Sequence, residues 1–144
     1  MKILLLSFYY PPDIGPGSLR AKSIVDSLIE ESSNKLNIDV VTAMPNRYHS
    51  YNLNAKKHEK SKQLYVHRIK ILKHKNNMFD QVKSYLYFSF SVHKIIKKRD
   101  YDIVVATSSR LMTAALGAYI AKKKDSKLYL DIRDLFADTI SSLL

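Results

Sequence analysis

Lys2 to Tyr10 form a near-continuous apolar run, the pattern of a strand buried on both faces of a sheet. Pro11, Pro12, Gly15, Pro16 and Gly17 then break the chain into a loop. Ser18 is placed to cap a helix running to about Glu31, with Leu19, Ile24, Val25, Leu28 and Ile29 on one face. Ile38 to Ala43 reads as a second short buried strand, ended by Met44, Pro45 and Asn46, and the polar residues 46–63 read as a long loop. Leu64 to Leu72 alternates in part through Val66, Ile69 and Ile71 and reads as a third strand. Met78 to Arg99 reads as a long helix and Ile103 to Ala106 as a fourth strand. Leu111 to Lys124 follows as a helix with Ala114, Ala115, Gly117 and Ala118 on its packed side, then Leu128 to Ile132 as a fifth strand. A further helix is expected from about Ala137.

Strands that alternate with helices imply an α/β fold: a parallel sheet with helices on both faces. The right-handed crossover rule predicts a Rossmann-like layout with the five strands in the order 3-2-1-4-5. At 144 residues the chain is long enough for one domain with its own core. It shows no internal repeat, low-complexity segment or linker.

Composition changes this picture in two respects. Cysteine is absent, which removes disulfides, thiolate metal sites and cysteine nucleophiles and fits a reducing, cytoplasmic compartment. No signal peptide is visible, and the run from Ile3 to Tyr10 is too short to span a bilayer. The net charge of +11 is concentrated in one third of the chain: residues 55–99 carry thirteen Lys and Arg against Glu59 and Asp80. That asymmetry suggests an anionic partner, a membrane surface or a polyanion; the competing reading is a lysine-rich solvated surface. No recognised nucleic-acid motif accompanies the charge, so nucleic acid is not an expected partner.

In open parallel sheets, ligands bind beyond the carboxyl ends of the strands near the point where strand order reverses. This rule selects residues 11–18, 107–111 and 131–136. Gly15, Gly17 and Ser18 open a helix whose N-terminal amides attract anions, and Arg20 can add a charge-assisted contact. The loop is neither the dinucleotide fingerprint nor a P-loop, and it also reads as an ordinary strand-to-helix turn. Thr107, Ser108, Ser109 and Arg110 supply hydroxyls and a cation, or simply cap the next helix. Asp131, Arg133 and Asp134 close a buried strand. Asp131 and Arg133 share a face and can pair, and a carboxylate here can also orient or deprotonate a substrate hydroxyl. The five histidines show no metal-ligand spacing, so neither a metal site nor a cofactor is expected.

On a helical wheel of the segment from Met78 to Arg99, Met78, Phe79, Val82, Tyr85, Leu86, Phe90, Val92, His93 and Ile96 form a broad face. Phe88 and Ile95 fall outside it, and Lys83, Lys94 and Lys98 take the remaining side. Aromatic excess beside lysines suits a surface resting on anionic lipid; burial of the second apolar edge by further chain is the alternative.

The opening stretch from Lys2 through Pro11, Pro12, Gly15 and Gly17 to Arg20 resembles the first strand and loop of GT-B glycosyltransferases, above all the large retaining family of bacterial surface-polysaccharide enzymes (family 4-like). Val41 to Asn46 resembles that family's second strand end, and Tyr101 to Ser109 its fourth strand and loop. Leu130 to Asp138 resembles a segment of one subgroup, although Phe136, Ala137 and Asp138 stand where that subgroup has Trp, Pro and Glu.

The resemblance implies the acceptor-side N-terminal domain of an enzyme that moves a sugar from a nucleotide-sugar donor to a polysaccharide or lipid-linked acceptor. Gly15 and Gly17, with Ser18 and Arg20, would approach the donor diphosphate. Ser108, Ser109, Arg110, Asp131 and Arg133 would line the acceptor cleft, and Asp134 is the candidate catalytic residue. The resemblance also implies that the donor-binding C-terminal domain lies outside these residues, that the isolated chain is inactive, and that the enzyme works at the inner face of the cell membrane. The alternative is a non-catalytic binding subunit of a split glycosyltransferase.

Overall fold

The computed structural model describes residues 1–32, 35–45, 54–71, 78–108 and 111–132. In chain order the elements are β1 (Lys2–Leu6), α1 (Pro16–Glu31), β2 (Asn37–Ala43), β3 (His58–Lys60), β4 (Leu64–Ile69), α2 (Met78–Ile96), β5 (Ile103–Thr107), α3 (Leu111–Lys124) and β6 (Lys127–Asp131). One six-stranded sheet has the order β3-β4-β2-β1-β5-β6. Only β3 runs antiparallel, against β4; the other neighbours are parallel. The fold is Rossmann-like α/β, and its five parallel strands stand in the order the crossover rule predicts.

The apolar run of β1 is buried on both sides because the sheet is covered on both sides. Leu4 and Leu6 pack with Phe88, Val92, Leu116 and Ile120 under α2 and α3. Ile3 and Leu5 pack with Ala21, Val25, Ile38 and Val40 under α1. Each such leucine or isoleucine withdrawn from water contributes about 1.5–3 kcal/mol. The seam between α3 and the sheet is close: a Cβ on Gly117 would lie 2.4 Å from the Cβ of Ala106.

Several expected boundaries and faces move. β1 ends at Leu6 rather than Tyr10, because the backbone of Phe8 and Tyr9 turns to accept bonds from Ala43 and from the Ser7 hydroxyl. The N-cap of α1 is Gly15, not Ser18. Gly15 adopts φ 146°, which L side chains rarely take, and Pro16 brings a ready-made helical φ to the first turn. Leu19 is exposed, and Gly17, Ser18, Ala21 and Val25 form the buried side of that helix. β3 lies within the stretch read as a loop, while β4 stops at Ile69 and α2 at Ile96. On α3, Ala114 and Gly117 are buried but Ala115 is exposed.

The largest correction concerns α2. Phe88, placed outside the packed face by the wheel, is fully buried, together with Tyr85, Val92 and Ile96. Phe79, Val82, Leu86 and Phe90, assigned to that face, are exposed, Phe90 to 73%. The helix is apolar on two sides, so periodicity gives two candidate phases, and the sheet selects the one led by Phe88. The helix expected from Ala137 lies outside the described residues.

Candidate functional site

The carboxyl ends of β1, β5 and β6 meet at the point where strand order reverses, and the start of α1 stands beside them. β6 ends on Asp131, a carboxylate only 5% exposed, aligned with Thr107 on β5. A charge so buried is costly unless it is paired. Its partner is Arg20 of α1: Nε donates to both carboxylate oxygens, at 2.9 and 2.8 Å, and a terminal guanidinium nitrogen donates to one of them at 2.5 Å. The expected pairing of Asp131 with Arg133 lies outside the described residues. The carboxylate has a forked partner from across the sheet's carboxyl edge. Hydrogen bonding to Asp131 and the carboxylate's charge raise the Arg20 pKa, so the guanidinium stays charged.

Buried small hydroxyls lie at the carboxyl ends of the neighbouring strands β1 and β5. Thr107 Oγ1 donates to Ser7 Oγ at 3.1 Å, and Ser7 Oγ donates to the Tyr9 carbonyl at 2.7 Å. Ser108 donates its backbone N–H to the Asp131 carbonyl at 2.9 Å, which ties the ends of β5 and β6 together. Ser7, Thr107 and Ser108 are all buried. The Thr107 hydroxyl therefore braces the sheet's edge against Ser7. Ser109 and Arg110, proposed for the same loop, lie outside the described residues, as does Asp134.

The loop leading into α1 is held from below. Arg68 of β4, buried, donates to the Pro11 carbonyl at 2.6 Å and to the Lys56 carbonyl at 2.9 Å, and it pairs with Glu59 of β3 at 2.9 Å. Above it, Gly15 accepts the backbone N–H of Ser18 and of Leu19, each at 3.1 Å, and no side chain caps the helix. The Ser18 hydroxyl is buried and has no hydrogen-bond partner among the described residues. A loop fixed at both ends, with glycines at a helix N-terminus, is suited to close approach by an anionic group. Tyr10 stays protonated: burial first, and then the charge of Asp26, push its pKa up to about 12.

The structure thus brings together Gly15, Gly17, Ser18, Arg20, Ser108 and Asp131 from the residues singled out in the sequence. Ser7 and Arg68 were missed. Ser7 is the polar interruption of the first apolar run, and Arg68 is a charge inside an otherwise apolar strand; both are readable signals once burial is known.

A second polar cluster lies at the opposite, amino-terminal edge of the sheet. Arg99 bridges Asp39 and His67 at 2.8 Å each, Tyr101 donates to Asp39 at 2.7 Å, and His58 and His67 approach through their Nδ1 atoms at 3.3 Å. Burial, followed by the Arg99 charge, lowers the His67 pKa to about 4. Among the described residues no group of three or more His, Asp or Glu side chains is placed to hold a metal ion. No helix among them is long and apolar enough to cross a membrane.

No protein-family model matches the chain, and no curated protein matches it in sequence.

Proposed function

We propose that this chain is the acceptor-side half of a retaining glycosyltransferase that moves a sugar from a nucleotide-sugar to a polysaccharide or lipid-linked acceptor at the inner face of the cell membrane. The observation that carries the reading is the Arg20–Asp131 pair at the switch point of a Rossmann-like sheet, beside an uncapped glycine loop. The exposed guanidinium of Arg20, held in place by a buried carboxylate, offers N–H donors to the hydroxyls of a polyhydroxylated ligand. The glycine loop offers backbone amides to a diphosphate, which leaves carrying charge that such donors stabilise without a metal. Asp134, three residues beyond Asp131, is the proposed catalytic residue. On this reading a second domain grips the donor, and the two together position both substrates.

The test is a transfer assay on the product of the complete reading frame that contains these residues. Labelled nucleotide-sugars are supplied with lipid-linked and oligosaccharide acceptors, and the label is followed into acceptor. Transfer by that product alone supports the reading. Transfer only after a separate polypeptide is added makes the chain a binding subunit of a split enzyme. No transfer from any donor, with nucleotide-sugars also failing to bind, removes it.

A further inference from the structure

Cations at the amino-terminal edge of a parallel sheet ordinarily face the carboxyl ends of the helices, which finish there because crossover helices run against the strands they join. Lys35, past the end of α1, and Lys97 and Lys98, just past α2, occupy such positions. Lys2, Lys60 and Lys62 do not: they belong to β1, to β3 and to the turn between β3 and β4. All three are exposed, and none forms an ion pair among the described residues. With Arg99, Tyr65 and Tyr101 they line a pocket of about 290 Å³ at the starts of β1, β2 and β4. Cations from separate segments of the chain thus converge on one concavity.

The acids around this pocket are engaged elsewhere. Its lining holds two, Asp39 and Asp100. Asp39 accepts from Arg99 at 2.8 Å and from the Tyr101 hydroxyl at 2.7 Å. Asp100, 98% exposed, lies 3.7 Å from Lys124. Beside the pocket, Asp102 takes the backbone N–H of Lys2 at 2.6 Å, and Glu59 is taken by Arg68 at 2.9 Å. Three ammonium groups are left lining one hollow with no counter-charge among the described residues.

The hollow is also held in shape. The turn that carries Lys60 and Lys62 is closed by the Ser61 N–H on the Leu64 carbonyl at 2.8 Å. It is tied to β2 by the Ile38 N–H on the Gln63 carbonyl at 2.7 Å, and the Gln63 side chain donates to the Leu36 carbonyl at 3.2 Å. Arg99 is fixed by Asp39 on one side and His67 on the other, and its guanidinium lies over the Tyr65 ring at 5.4 Å. Like charges gathered on a fixed frame repel one another, and a bound anion relieves that cost without reorganising the frame.

We propose that this pocket binds a small molecule carrying a phosphate or diphosphate group, whose oxygens accept from Lys2, Lys60, Lys62 and the Arg99 guanidinium. The charge selects the class: a phosphate monoester carries about −1.5 to −2 near pH 7 and so balances several ammonium groups, which a single carboxylate does not. The volume lies at the small end of ligand pockets, roughly 300–1,000 Å³, and suits one compact ligand rather than a polymer. The pocket stands at the sheet edge opposite Arg20 and Asp131 and is separate from the candidate cleft. Binding here does not require glycosyl transfer at the other edge.

The test is an amide NMR titration of the purified chain at low salt with inorganic phosphate, with inorganic pyrophosphate and, at matched ionic strength, with acetate. Two variants accompany the unaltered chain: Lys2→Gln/Lys60→Gln/Lys62→Gln, and Lys83→Gln/Lys94→Gln/Lys123→Gln on α2 and α3 as a control of equal charge loss. All six positions are exposed, so both variants should fold as the parent does, which their spectra report directly. The expected result is saturable shifts at Ser61, Lys62, Asp100 and Tyr101 with phosphate or pyrophosphate but not with acetate. Affinity should fall at least about tenfold in the pocket variant and change little in the control. The tighter of the two anions tells a monoester ligand from a diphosphate. Absence of saturation up to roughly 10 mM of either anion, where a binder with a Kd of about 1 mM would be nearly filled, overturns the proposal. Shifts confined to Gly15 and Gly17 overturn it by moving the anion to the carboxyl edge. Equal weakening in both variants, or equal shifts with acetate, overturns it by reducing the effect to bulk charge.

Discussion

Arg20 and Asp131 lie 111 residues apart in sequence and meet at the carboxyl edge of the sheet, where the guanidinium forks onto the carboxylate through contacts of 2.5 to 2.9 Å. The pair fastens the start of α1 to the end of β6 and so sets the spacing between the glycine loop and the Ser108 turn. One partner is buried and the other is 55% exposed, which leaves the guanidinium side open to a ligand while the carboxylate is committed.

Gly117 is required by its distance from Ala106. Gly117→Ala should lower stability by about 1–3 kcal/mol despite the better helix propensity of alanine, because the new methyl would sit 2.4 Å from the Ala106 Cβ. Adding Ala106→Gly to that variant should recover part of the loss. Urea unfolding of the two variants and their parent checks both statements.

Phe88 and Phe90 lie two residues apart on opposite sides of α2. Phe88→Ala should cost about 3–5 kcal/mol, since its ring is wholly buried against Phe8 at a centroid distance of 5.1 Å. Phe90→Ala, at an exposed position, should change stability by no more than about 0.5 kcal/mol. Reversed magnitudes in thermal or urea unfolding would mean that the opposite side of the helix faces the sheet.

The five parallel strands and α3 are legible in the sequence because their signals are local: apolar runs of strand length, and glycine, proline or serine at their ends. β3 is not, since His58, Glu59 and Lys60 carry no apolar period and pair only because Arg68 and His67 on β4 receive them. The phase of α2 was misread because its exposed stripe is as apolar as its buried one, and only the sheet distinguishes them. At the candidate site, residue types and loops were legible but partners were not. Arg20 is 111 residues from Asp131 in sequence, and the topology alone brings it there.

His67 makes stability depend on pH in a defined window. Its pKa in the folded chain is lowered to about 4, by burial and then by Arg99, against an ordinary value near 6.5. The unfolded chain therefore takes up a proton first as pH falls. Stability conferred by neutral His67 is complete above roughly pH 7, declines from about pH 6.5, and stops declining through this residue below about pH 4. The integrated loss is on the order of 3 kcal/mol. His67→Gln should be less stable at pH 7.5 yet show a flatter profile between pH 6.5 and 4, measured by urea unfolding across that range.

The most direct test of the central claim is steady-state sugar transfer by the complete reading-frame product, comparing the unaltered protein with Asp131→Asn at matched folded concentration. The proposal predicts that the variant remains folded and loses at least about tenfold in kcat/KM, because the amide no longer holds Arg20 and the glycine loop in register with the acceptor edge. Arg20→Lys should lose less than Arg20→Ala. Transfer by folded Asp131→Asn at the unaltered rate, with only its melting temperature changed, would contradict the claim and reduce the pair to a clamp between α1 and β6.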